Sequence, residues 1–252
     1  MIKLEHVVLA SSEQMEFIIE GMRNPMNSWE KSDSDICNPT EKCHYGCNKV
    51  GCVDADHFHL GENDHSLMQR LSNAGTEHRK YMRMMPVYVR ITAPLYWWKE
   101  FDTYKIGTTA NSCSTMHKIA EKEFTLEDFS TEQLTCDAFS LEAIIKDLNI
   151  FREKYIDYDL LPQKIKHTFS RKDYWWNMIQ LLPSSYNQTR NVMMNYEVLT
   201  NIYRQRNGHK LDEWRDFCKW IETLPYSELI AGKEKIRLYA GDREIKESER
   251  EE

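Results

Sequence analysis

Residues 1–10 alternate apolar with polar positions and are rich in Val and Ile, which predicts a strand. A helix should follow, with Ser11 or Ser12 as its N-cap. Met15, Phe17, Ile18 and Ile19 supply its apolar contacts, and Asn24-Pro25 stops it. Over residues 28–64 the periodicity fades and polar residues interleave with Cys and His. That is too long for an idle connector in a compact domain. Residues 65–74 are weakly helical, and 76–85 form a basic helical or mixed stretch. Residues 86–92, Pro-Val-Tyr-Val-Arg-Ile-Thr, give the best strand pattern in the chain, β-branched and alternating. Beyond a loop at 107–114, helical spacing dominates. One helix is capped by Ser140 and carries Ile144, Ile145, Leu148, Phe151 and Tyr155 on one face; another covers 173–182 and ends at Pro183. A third spans 189–206 with Val192, Tyr196, Leu199 and Tyr203, closed by Asn207-Gly208. The last covers 211–224 with Trp214, Phe217, Ile221 and Leu224. The fold class this predicts is α/β: a mixed β-sheet with flanking helices and a helical C-terminal half. The expected organisation is a single domain over 1–231 with a Cys/His-containing insert at about 28–64. Residues 232–252, ending Glu-Ser-Glu-Arg-Glu-Glu, read as a charged, flexible tail.

Composition narrows the function. Of 252 residues, 41% are hydrophobic, with seven Trp, thirteen Tyr and nine Phe, enough aromatic area to build a core. A formal charge of -7 argues against a nucleic-acid surface, which needs clustered cations to release counterions from phosphates, but leaves room for a small anionic ligand. No stretch approaches the roughly 18 to 20 apolar residues of a membrane span, and no apolar run follows a basic start, so a cytoplasmic location is expected. Seven cysteines, an odd number, argue for reduced thiols rather than a disulfide framework. Within the insert, Cys37, Cys43, Cys47 and Cys52 with His44, His57 and His59 are either ordinary side chains or a tetrahedral zinc set. None of the pairs has C-x-x-C spacing, so no metal ligand is assigned.

Residues 94–105, Pro-Leu-Tyr-Trp-Trp-Lys-Glu-Phe-Asp-Thr-Tyr-Lys, lead into 106–117, Ile-Gly-Thr-Thr-Ala-Asn-Ser-Cys-Ser-Thr-Met-His. Hydroxyl and amide side chains this dense behind an aromatic run suit either a loop that wraps a polar ligand or a turn that caps the next helix. The spacing Thr109-x-Asn111-x-x-Ser114-x-Met116-His117 resembles the second half of the motif R-H-R-x-x-S-x-N-x-x-S-x-R-Y of flavin-dependent thymidylate synthases. Tyr104-Lys105-Ile106 stands at R-H-R and Met116-His117 at R-Y. Further on, Leu182-Pro183, Thr189-Arg190, Asn195, Leu199, Asn201 and Arg206 are similar to that family's helical signature in order, followed by a helix bearing Asp212-Glu213-Trp214-Arg215. Together these regions span roughly residues 86–225.

The resemblance implies reductive methylation of dUMP to dTMP with FAD as cofactor, NADPH and methylene-tetrahydrofolate as co-substrates, and a homotetramer with shared sites. It places Ser114 on the substrate side and Arg206 at the base, as the catalytic pair. Thr109, Asn111 and Asn195 become cofactor-binding residues near the flavin–substrate junction. It carries no cation to Tyr104, Ile106 or Met116, and each missing guanidinium removes a charge-assisted contact of about 1.5 to 3 kcal/mol. Arg79, Lys80, Arg83, Arg90, Lys99 and Lys105 are candidates to compensate, or else a solvated basic face. The alternative function is a non-catalytic or repurposed nucleotide-binding protein on the same scaffold. The Trp97-Trp98 and Trp175-Trp176 pairs are assigned to core or subunit contacts.

Overall fold

The computed structural model describes residues 2–36, 58–134 and 139–232. Strand β1 (Lys3–Leu9) leads into helix α1 (Ser12–Arg23), whose N-cap is Ser11. The Ser11 hydroxyl accepts from the Gln14 amide while the Gln14 side chain accepts from the Ser11 amide at 2.9 Å, a reciprocal capping box. Pro25 ends the helix inside a 3-10 turn (Asn24–Met26). A short hairpin of β2 (Asp35–Ile36) and β3 (Phe58–His59) brackets the insert, and α2 (Glu62–Ala74) follows. Cys37, Cys43, Cys47, Cys52, His44 and His57 lie outside the described residues, as does the tail beyond 232. His59 ends β3, with its Nδ1 3.9 Å from Asp35.

The insert's entry is tied down by Asp64. Its fully buried carboxylate accepts from Arg23 Nε at 2.5 Å and from the Ser32 and Ser34 hydroxyls at 2.7 Å each. The backbone amides of Asp33 and Ser34 add two bonds of 3.1 Å. Gly61 lets this loop close on α2, because a Cβ there would lie 2.1 Å from Asp33 Oδ1.

Strand β4 (Pro86–Pro94) takes the 86–92 pattern and runs two residues further. Helix α3 (Leu95–Phe101) and edge strand β5 (Thr109–Ser112) follow. Next come α4 (Thr115–Lys118), α5 (Phe139–Ile156), α6 (Gln163–Thr168), α7 (Arg171–Leu181), β6 (Asn187–Asn195), α8 (Tyr196–Arg206), α9 (Asp212–Glu222) and α10 (Glu228–Ala231). The main sheet has the order β1-β4-β6-β5, every pair antiparallel. This is the expected α/β architecture, with helices prevailing in the second half. No helix among the described residues is long and apolar enough to cross a membrane.

Four local expectations change. The helix expected over 189–206 is strand up to Asn195 and helix only from Tyr196. Val192 and Met194 alternate into the core, a period of two hidden beneath the 3-and-4 spacing of Val192, Tyr196, Leu199 and Tyr203. The Asn195 side chain then caps α8, accepting from the Val198 amide at 3.0 Å. The loop expected at 107–114 contains β5, because its backbone pairs with β6. Ser140 lies inside α5 rather than before it. The basic 76–85 stretch reduces to a 3-10 turn at Lys80–Arg83.

The described residues form two hydrophobic clusters. The larger lies on one face of the sheet, where Val87, Val89, Ile91 and Ala93 of β4 meet α1, α2, α8 and α9. Within it Trp97 stacks on Phe101 at 5.0 Å and leans on Trp214 at 4.7 Å, while the Trp98 indole N–H donates to the Gln188 carbonyl. Trp97 and Trp98 are both fully buried because α3 is covered on more than one side. The smaller cluster joins Ile119, Phe124 and Phe129 to α5 and α7 through Leu148 and Met178.

Candidate functional site

The site is built where β5 turns off the sheet. Thr109 and Asn111 are exposed on this edge strand, opposite Met193 and Asn191 of β6. Pairing continues through the Cys113 amide, which donates to the Thr189 carbonyl at 2.9 Å. Ser114 then leaves the sheet as the N-cap of α4, its hydroxyl accepting from the His117 amide at 3.3 Å. The α4 turn is pinned to the smaller cluster by the Trp175 indole N–H, which donates to the Met116 carbonyl at 2.9 Å, and by Arg152, which donates to the Ala120 carbonyl at 3.0 Å. Of the paired tryptophans in α7, one therefore positions the motif loop, a role the sequence did not suggest.

Ser114 lines an open groove of about 830 Å³ between the sheet end and the smaller cluster. Its floor holds Thr92 and Thr189, whose hydroxyls share a hydrogen bond of 2.7 Å. Gln188 donates to the Thr115 hydroxyl at 2.9 Å and to the Cys113 carbonyl at 3.2 Å, fixing the wall. Burial raises the Tyr186 hydroxyl above its ordinary range. Lys122 is hydrogen-bonded to Asp128, and that bond raises its ammonium group further. The groove thus offers hydroxyls, an amide and paired charges to a polar ligand. Thr92, Lys122, Asp128 and Tyr186 were not foreseen: no local pattern marks them, and folding alone gathers them.

The other anticipated residues sit around this corner. At Gly107 φ is +77°, and a Cβ there would lie 3.0 Å from Asn195 Nδ2 and 3.1 Å from Val198 Cγ2. Glycine thus lets the loop before β5 lie against the start of α8. Asn195 Oδ1 is committed to its cap, which leaves the amide nitrogen facing that loop. Arg206 is outside the groove lining, at the end of α8 and 18% exposed. Its Nη1 meets Glu100 at 2.7 Å, its Nε donates to the Tyr104 hydroxyl at 2.9 Å, and its plane lies 4.7 Å from the Trp214 ring. Tyr104 is thus the partner of Arg206, while Ile106 is 94% exposed.

Among the basic candidates Arg79 is spent, buried with its Nε 2.6 Å from Glu197. Arg83 donates to the Thr76 carbonyl at 3.4 Å. Lys80 lies on the 3-10 turn, Lys99 on α3 and Lys105 on the loop before β5, all three exposed, whereas Arg90 is exposed in the middle of β4.

No family model and no curated protein sequence matches the chain. Solved structures do resemble it. A flavin-dependent thymidylate synthase from Helicobacter pylori, complexed with FAD and dUMP, superposes with a TM-score of 0.55 at 16% identity, covering 91% of this chain and 96% of that one. A second structure of the Helicobacter pylori enzyme with FAD and dUMP gives the same score and identity over 95% of its length. A UMP/dUMP methylase from Streptomyces cacaoi, bound with 5-Br UMP, has a TM-score of 0.50 at 12% identity, covering 88% of each chain. Over nine-tenths of its length, this chain has the fold of the flavin-dependent thymidylate synthases.

Proposed function

We propose that this chain binds a pyrimidine nucleotide beside a flavin and catalyses the reductive methylation of dUMP to dTMP, with FAD as cofactor and NADPH and methylene-tetrahydrofolate as co-substrates. The observation that carries the proposal is the convergence at one corner of the sheet. Ser114 lines a polar groove, and the strand leading to it exposes Thr109 and Asn111. The Helicobacter pylori enzyme of the same fold was solved with FAD and dUMP, and the Streptomyces cacaoi methylase with 5-Br UMP.

The residues present fit a flavin. Its polar edge and phosphates need hydrogen-bonding side chains, which Thr109, Asn111 and the amide nitrogen of Asn195 supply. Its ring needs apolar area, and the exposed Tyr88 lies on the sheet face that Thr109 shares. When bound, the flavin supplies the hydride. The chain's own residues orient the reactants: Ser114 holds the nucleotide in the groove, and Arg206, outside that groove, would reach a base through its Nη2 in a site shared between subunits, its other two guanidinium nitrogens being engaged by Glu100 and Tyr104. A cytoplasmic homotetramer with shared sites belongs to the same proposal, and light scattering reads the chain number directly.

Titration with FAD, followed by visible absorbance and fluorescence, tests the cofactor. Saturable binding is expected, weakened roughly tenfold or more by the Thr109→Ala/Asn111→Ala double variant through loss of two ligand hydrogen bonds. No binding at high micromolar FAD removes the enzyme reading.

A second reading, a non-catalytic nucleotide-binding protein on this scaffold, is favoured by one observation. Tyr104, Ile106 and Met116 bring no cation to the motif, and Arg206 already has Glu100 as its counter-ion. Nucleotide binding without flavin binding selects it.

A further inference from the structure

The sheet face opposite the larger cluster presents three rows of side chains in register. Lys3, Thr92 and Thr189 form the row at the groove. Glu5, Arg90, Asn191 and Asn111 form the next, and Val8, Tyr88, Met193 and Thr109 the third. Alternation along β4 fixes the orientation: Val87, Val89, Ile91 and Ala93 are buried against the core, while Arg90 is exposed and Tyr88 is 48% exposed on the other side. Adjacent rows are about 7 Å apart along a strand, and Arg90 lies about 10 Å from Asn111 across β6.

Charge decides where an anion belongs on this surface. In the groove lining Lys122 is already bonded to Asp128, and Lys3 shares the wall with Glu127. A phosphate placed inside the groove meets a carboxylate beside each of these lysines. One row out, Arg90 makes no hydrogen bond or ion pair among the described residues. It is the one member of the six basic candidates that shares a sheet face with Thr109 and Asn111. Asn191 extends the row beside it with an exposed amide, which donates hydrogen bonds to phosphate oxygens. On its other flank stands Glu5, the one carboxylate in the row.

Building on the nucleotide-binding reading above, we infer that Arg90 is the anion site of this chain. The nucleotide's phosphate rests on the Arg90 guanidinium at the Asn191 side, and the rest of the molecule reaches the groove across Thr92 and Thr189. Arg90 thereby supplies, from a central strand, the cation that the motif loop lacks. Glu5 limits its strength by competing for the same guanidinium.

Calorimetric titration with dUMP and with deoxyuridine tests this on the full chain. Arg90→Ala should weaken dUMP binding roughly tenfold to a hundredfold and leave deoxyuridine binding unchanged. Arg90 is exposed, so the variant is expected to keep the wild-type circular dichroism. Glu5→Gln should tighten dUMP without affecting deoxyuridine, an independent change in the opposite direction. Equal dUMP affinity in wild type and Arg90→Ala, or parallel loss of both ligands, overturns the inference while leaving the nucleotide site standing. If the wild-type chain binds neither ligand, the functional reading fails first and this one with it.

Discussion

Ser114 shows how one hydroxyl can hold two assignments. It caps α4 through the His117 amide and lines the groove as well, so both readings of the motif loop describe the same atom. The cap starts a four-residue helix with a long bond of 3.3 Å, which puts its contribution at the low end of the usual range, about 0.5 kcal/mol. A ligand hydrogen bond left unmade costs about 1 to 3 kcal/mol. Ser114→Ala should therefore lower thermal stability slightly and nucleotide affinity substantially, as read by paired melting and binding curves. A stability loss with unchanged affinity makes Ser114 a cap and nothing more. Asn195 was picked out by resemblance alone, and its Oδ1 proves to cap a helix, so any ligand contact it makes falls to its amide nitrogen.

At the scale of elements, strands with clean alternation and helices with strong caps were readable: β4 from its β-branched run, and α1 from Ser11 and Gln14. What escaped was β6, because a nine-residue strand joined directly to a helix mimics one long helical repeat when its apolar residues happen to suit both periods. Strand β5 escaped for another reason. All four of its residues are exposed, so it has no apolar signature and exists through its backbone pairing to β6. The same limit hid the Asp64 clamp, whose partners Arg23, Ser32 and Ser34 are far from it in sequence.

That clamp has a pH signature. Burial alone would raise the Asp64 carboxyl, but hydrogen bonds from Ser34, Ser32 and Arg23, with the Arg23 charge, outweigh it and hold the group below its ordinary 3.8. A depressed carboxyl stabilises the fold fully above its unfolded value, and that contribution is lost as pH falls through the lower folded one. Hydrogen exchange at residues 32–36 should stay protected at mildly acidic pH and rise only below about 4. Asp64→Asn should open this segment at neutral pH, with the gap to wild type closing in acid. Protection independent of both pH and the substitution contradicts the clamp.

Across the whole molecule, the groove draws its lining from residues 3, 92, 113–115, 122, 126–129, 131–132 and 186–189, stretches that meet only when the sheet closes beside the smaller cluster. Sequence reading therefore found the loop that carries Ser114 and missed the floor and far wall. The likeness in fold extends over most of the chain, while the motif's arginine positions hold Tyr104, Ile106 and Met116. Fold and motif chemistry therefore point in different directions, and only turnover brings them together. The most direct test incubates the purified chain anaerobically with FAD, NADPH, methylene-tetrahydrofolate and dUMP, and follows the nucleotide by mass spectrometry. Formation of dTMP that depends on FAD is the predicted result; unchanged dUMP, in a preparation shown to bind both FAD and the nucleotide, contradicts it.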